Sequence, residues 1–106
     1  MSKKIVFAVS LFALVLAACA SAAASQPAEV VAAREWLAER LGVEVERVTI
    51  RSSEEVEFSD GCLGLGGPAE SCLAAITPGW LIIFEVDGDA YEVHTDEGAS
   101  QIRVKE

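Results

Sequence analysis

The sequence holds one histidine, His94, and between Ser52 and Ile102 it holds no lysine or arginine. The first scarcity excludes multi-histidine metal centres and zinc-protease motifs, which need two or three imidazoles converging on one ion. The second, with 8 Lys+Arg against 17 Asp+Glu in the whole chain, argues against a nucleic-acid partner, because neutralising phosphates needs clustered basic residues. No lysine follows the glycines of the central segment, so they form no phosphate loop. The spacing of an EF-hand is missing too. A chain of 106 residues has the length of one domain and leaves room for few catalytic frameworks. No cofactor and no metal site are expected.

Hydrophobic residues are abundant, at 52%, and much of that excess lies at the N-terminus. Lys3 and Lys4 form a short positive region, residues 5–16 form an uncharged apolar core, and small residues follow. That layout is a secretory signal, to be set apart from the fold. Within it, Leu16-Ala17-Ala18-Cys19 resembles the bacterial lipobox, in which a signal peptidase cuts just before a cysteine carrying diacylglycerol. The resemblance implies that residues 1–18 are the signal peptide, that Cys19 is the lipid attachment site, and that residues 19–26 are a tether. It implies an exported protein anchored on the extracytoplasmic face of the cell envelope. With Ala20 in place of an inner-membrane retention aspartate, the anchor is the outer membrane wherever the host has one.

Three cysteines are an odd number for an exported protein. Assigning Cys19 to lipid leaves Cys62 and Cys72 to pair, in a compartment that lets them oxidise. Loss of residues 1–18 removes two lysines and no acid, taking the formal charge from −9 to −11. Anionic headgroups repel such a surface. The membrane contact is therefore expected through the lipid anchor only, across a tether reaching roughly 15 Å if flexible.

Residues 27–106 read as a single α+β domain. Pro27 suits a helix start and Gly42 a stop, with Val30, Ala33, Leu37 and Leu41 at helical spacing between them. Everything after Gly42 reads as strand. Val48 and Ile50 alternate with polar neighbours, as do Val56 and Phe58, giving two strands with one wet face each. Asp87-Gly88 has the chemistry of a two-residue type I′ hairpin, which sets Phe84 opposite Tyr91, Ile82 opposite Val93 and Trp80 opposite Thr95. Thr77-Pro78-Gly79-Trp80 reads as a type II turn following a strand at about residues 72–76, and Ile102 and Val104 mark a last short strand. The expected architecture is one N-terminal helix packed on a curved antiparallel sheet of five or six strands, with one disulfide.

Residues 80–84, Trp-Leu-Ile-Ile-Phe, are apolar on both faces, and a single helix covers only one. The second face needs sheet curvature, a lid from the segment between Cys62 and Cys72, or a partner. That segment is rich in glycine, and a disulfide across it would destabilise the unfolded chain by about 3 kcal/mol. Leu63 and Leu65 either point inward and cap the sheet or point outward on a preorganised loop that fits a partner's cleft. Leu63, Gly64, Leu65, Gly66, Gly67 and Pro68 are the candidate binding-loop residues.

The residues Ser59-Asp60-Gly61-Cys62-Leu63-Gly64-Leu65, Cys72, Thr77-Pro78-Gly79-Trp80 and Tyr91-Glu92-Val93-His94-Thr95-Asp96 resemble a recurrent pattern in small exported bacterial proteins of unassigned function. The helix-then-sheet order is similar to that of PepSY-type domains, which are associated with inhibiting or regulating secreted peptidases. Neither resemblance implies catalytic residues.

Other candidate chemistry is thin. His94 with Ser59 or Ser71 and Asp60 or Asp96 would supply a nucleophile and base, but no spacing singles these residues out. Asp87, Asp89 and Glu92, or Asp96 with Glu97, offer oxygen ligands to calcium, although turn propensity explains the first two. The aromatics are core candidates. The leading expectation is a non-enzymatic, membrane-tethered envelope or cell-surface binding module that regulates or inhibits a secreted enzyme through the stapled loop, its partner an envelope or secreted protein. The alternative is a small ligand-binding protein or enzyme with a pocket at His94, Tyr91 and Asp96.

Overall fold

A computed structural model describes residues 25–106; the signal segment, Cys19 and most of the expected tether lie outside them. Helix α1 spans Ala28–Leu41, with Pro27 at its N-cap and Gly42 in the left-handed conformation just past its end. Val43 N–H reaches the Ala38 carbonyl at 3.0 Å and Gly42 N–H reaches Glu39 at 3.2 Å, the paired bonds of a Schellman cap. The bonds satisfy carbonyls that a helix end otherwise leaves open. Four strands follow, β1 (Thr49–Phe58), β2 (Thr77–Val86), β3 (Asp89–Asp96) and β4 (Ile102–Val104), in one antiparallel sheet of order β1-β2-β3-β4.

The β2–β3 register is the one expected from Asp87-Gly88, with Phe84 opposite Tyr91 and Trp80 opposite Thr95. Asp87 (φ 51°) and Gly88 (φ 88°) both take the positive φ that a type I′ turn demands. On the face carrying Ile82, Phe84, Val86 and Val93, the helix lays Val30, Ala33, Leu37 and Ala38, and all eight are buried with Val48. Truncating a core side chain of this kind, as in Leu37→Ala, costs about 2–5 kcal/mol.

Five or six strands were expected and the described residues contain four. The two expected strands around Val48–Ile50 and Val56–Phe58 are one continuous β1, because a bulge between Ile50 and Ser52 absorbs an extra residue and lets alternation resume on the correct face. The expected strand at residues 72–76 is an exposed loop. Thr77-Pro78-Gly79-Trp80 is the start of β2, not a turn. Pro78 is tolerated there because it pairs with Glu57 of β1, while pairing to β3 begins only at Gly79, so one flank has no strand needing the missing N–H.

Candidate functional site

The second face of the sheet is where the stapled segment lies. By strand alternation, Phe58, Leu81, His94 and Arg103 share this face, with Leu81 opposite His94 and His94 opposite Arg103. Asp60 opens the segment by accepting the backbone N–H groups of Cys62 (2.9 Å) and Gly64 (3.1 Å) on one carboxylate oxygen. This turn puts Leu63 at φ 59° and Gly64 at φ 74°. A left-handed leucine costs about 1–2 kcal/mol, an amount offset by its complete burial, worth about 1.5–3 kcal/mol.

Several groups hold the loop to the body. Cys62 and Cys72 form a disulfide with Cα atoms 5.5 Å apart. Gly66 lies so close to it that a Cβ would sit 2.4 Å from the Cys72 sulfur. Gly61 N–H donates to Leu73 O at 2.8 Å, and Gln101 Nε2 donates to Gly61 O at 2.9 Å. Arg103 donates to Leu65 O at 3.3 Å and grips both carboxylate oxygens of Glu70. That guanidinium and the Gly67 N–H pull the Glu70 carboxyl from 4.5 down to about 2, while Glu70 raises Arg103 in turn.

His94 completes the clamp from below. Its ring stacks on Phe58 with centroids 4.8 Å apart, and Nδ1–H donates to Leu63 O at 2.7 Å. Nε2 lies 2.7 Å from the Glu92 carboxylate. Both ring nitrogens are thereby engaged, one by the loop backbone and one by its own strand.

The open question of the second face is therefore answered by a lid. Leu63 points inward and is fully buried, and Leu65 is half-buried, so the loop does not project two exposed leucines. Gly64, Gly66, Gly67 and Pro68 are exposed along its outer side. With the helix and β4, the loop instead bounds a groove of about 360 Å³ lined by Trp36, Arg40, Leu65, Gly67, Ile102 and Arg103, among others. Arg40 lies over the Trp36 ring at 5.4 Å. Among the described residues, the most exposed large apolar side chains, Leu73 (74% exposed) and Ile76 (69%), sit on the loop's return path.

The alternative pocket is not assembled. Tyr91 lies on the helix-facing side against the core, whereas His94 and Asp96 lie on the other. Asp96 caps the following turn, accepting from the Ser100 hydroxyl and from Gln101 N–H. His94 lines neither the groove beside the loop nor the cleft at Trp80, and neither Ser59 nor Ser71 bonds its ring, whose nitrogens are taken by Leu63 and Glu92. Three of the carboxylates considered for calcium have other partners: Asp87 pairs with Arg47, Glu92 with His94, and Asp96 with the turn that follows it. The described residues bring Asp60, Cys62 and Cys72 together as metal-type ligands, but the two sulfurs are bonded to each other and Asp60 serves the turn.

Sequence reasoning passed over Arg103 and Gln101, which hold the loop from the far edge of the sheet. The available signal was rarity, since Arg103 and Lys105 are the only arginine or lysine residues after Arg51.

A family model described as a domain of unknown function, DUF8738, matches residues 30–104, and the chain belongs to that family. Comparison with curated proteins and with solved structures gives no match.

Proposed function

We propose that this DUF8738 domain is a non-enzymatic binding module, exported and tethered to the cell envelope through lipidated Cys19, that docks an envelope or secreted protein at the groove between its helix and its stapled loop. The observation that carries this reading is the groove itself: Leu65 and Gly67 of the loop face Trp36 of the helix across Ile102 and Val104. Its walls are held by a disulfide and by the Arg103–Glu70 pair, and a preformed site binds without the cost of ordering its own loop. The groove mixes apolar Leu65, Ile102 and Val104 with charged Arg40, Glu70 and Arg103, and its aromatic and arginine side chains are the residue types that anchor protein interfaces. The occupant is an apolar side chain on a surface segment of the partner, with basic residues around it to meet the acidic domain.

The similarity of helix-then-sheet order to PepSY-type domains favours a secreted enzyme as the partner and regulation as the outcome. The tether rests on the lipobox-like residues 16–19; no helix among the described residues is long and apolar enough to cross a membrane.

Two experiments test the proposal. Radiolabelled fatty acid should enter the wild-type protein and not Cys19→Ala, and equal labelling refutes the anchor. Proteins captured from the native envelope should be identified, purified and titrated against the wild type and Leu65→Asp. A partner lost on substitution supports the groove, and unchanged affinity removes it from the interface.

A further inference from the structure

The opposite edge of the sheet carries a second surface. Strand β1 is ten residues long and, among the described residues, pairs only with β2, which leaves its outer edge without a partner strand. Among the described residues no loop backbone bonds to it. Exposed edges of this length are a hazard that proteins blunt with charge, and β1 carries Glu54, Glu55 and Glu57. None of the three forms an ion pair among the described residues, unlike Glu70, Glu85 and Glu92.

Beside this edge the surface is hollow rather than flat. A cleft of about 430 Å³ is lined by Glu55, Glu57, Pro78, Gly79, Trp80 and Glu97. Glu55 pairs with Trp80 across the sheet and Glu57 with Pro78, so the two carboxylates flank the half-buried indole on the helix-facing side. Glu97 closes the cleft from the turn after β3. Three carboxylates around an indole form a receptacle for a cationic side chain, through charge and cation–π attraction together.

Backbone and cleft have matching periods. A strand added at about 4.8 Å from β1 presents alternate side chains to the helix-facing side, in line with Glu55 and Glu57. We propose that β1 accepts an extended basic segment of another protein by strand addition, with an alternate Lys or Arg side chain entering the cleft against Trp80. The main chain supplies affinity and the acidic cleft supplies selection for positive charge. This surface lies at the β1 edge, away from the loop groove at β4, and does not depend on the function proposed above.

The test uses the peptide acetyl-Lys-Val-Lys-Val-Lys-Val-amide on the Trp36→Phe protein, which leaves Trp80 as the sole reporter of the two tryptophans. Binding should shift Trp80 emission, weaken with salt, and slow amide exchange along Thr49–Phe58. Glu55→Lys/Glu57→Lys, on an exposed strand that tolerates charge, should bind at least about tenfold more weakly, a change of roughly 1.4 kcal/mol. A peptide N-methylated at alternate residues on its pairing edge should not bind. Three results would overturn the proposal: no protection in β1, undiminished binding of the N-methylated peptide, or equal affinity for the glutamate analogue of the peptide. Concentration-dependent dimerisation of the protein alone, with protection confined to β1, would give the edge to a second copy instead.

Discussion

His94 holds Leu63 across 31 positions of sequence: the imidazole Nδ1 lies 2.7 Å from the leucine carbonyl, on a leucine whose side chain is fully buried. The only histidine of the chain is thus a fastening for the stapled loop, and its conformation is set by Phe58 and Glu92 on either side. In His94→Phe the stacking survives while the buried Leu63 carbonyl loses its donor, at a cost of about 1–3 kcal/mol. The midpoint of chemical denaturation should fall accordingly, and amide exchange should quicken in residues 60–76 while β2 and β3 stay protected. A melt identical to wild type would mean that the bond contributes nothing.

Reduction tests the disulfide separately. Opening Cys62–Cys72 restores chain entropy worth about 3 kcal/mol to the unfolded state, which in a domain this small corresponds to roughly 10 °C or more. Melting with and without a thiol reductant measures it, with Cys62→Ser/Cys72→Ser as the permanent equivalent.

Two glycines should behave oppositely. A Cβ at Gly79 would meet the Thr95 carbonyl oxygen at 1.9 Å, backbone that cannot step aside without breaking the β2–β3 ladder. Gly79→Ala should therefore lose cooperative melting or fall by several degrees. At Gly67 a Cβ meets nothing within 4 Å, and Gly67→Ala should leave stability within about 0.5 kcal/mol of wild type. Circular dichroism melts of both variants make the comparison.

Acid should weaken the Arg103–Glu70 fastening in a defined window. Hydrogen bonding to Arg103 lowers the folded Glu70 carboxyl from 4.5 to about 2, so its contribution is fully present above pH 4.5 and is lost as pH falls toward 2. Glu29 shifts in the same direction, since its carboxylate accepts Gly98 N–H. Because the Glu70 pair meets solvent, the effect is modest. The stability difference between wild type and Glu70→Gln should shrink between pH 5 and pH 2, and a constant difference would show that the pair does not couple to folding.

The elements legible in the sequence were those whose cause is local. Gly42 ends α1 because only a residue at ease with positive φ closes the Schellman cap, and Asp87-Gly88 fixes the hairpin register because the turn admits two residues and no more. The strand count was misread where tertiary pairing overrode local signals. Polar residues between Ile50 and Val56 resemble a break, yet β1 runs through them as one strand paired to β2, with a bulge of its own between Ile50 and Ser52. Pro78-Gly79 resembles a turn, yet Gly79 is there because the Thr95 backbone passes close beside it.

The sequence by itself determined the helix, the central hairpin, the acidic surface and the pairing of Cys62 with Cys72. Only the tertiary structure decided that the stapled loop folds inward as a lid, with His94 and Arg103 as its fastenings. It alone placed Trp36 opposite Leu65, and Trp80 among Glu55, Glu57 and Glu97. The physical reason is distance along the chain. Caps and turns are energetic choices among a few neighbouring dihedrals, while the lid and both clefts depend on side chains dozens of positions apart, which meet only after the sheet has fixed their register.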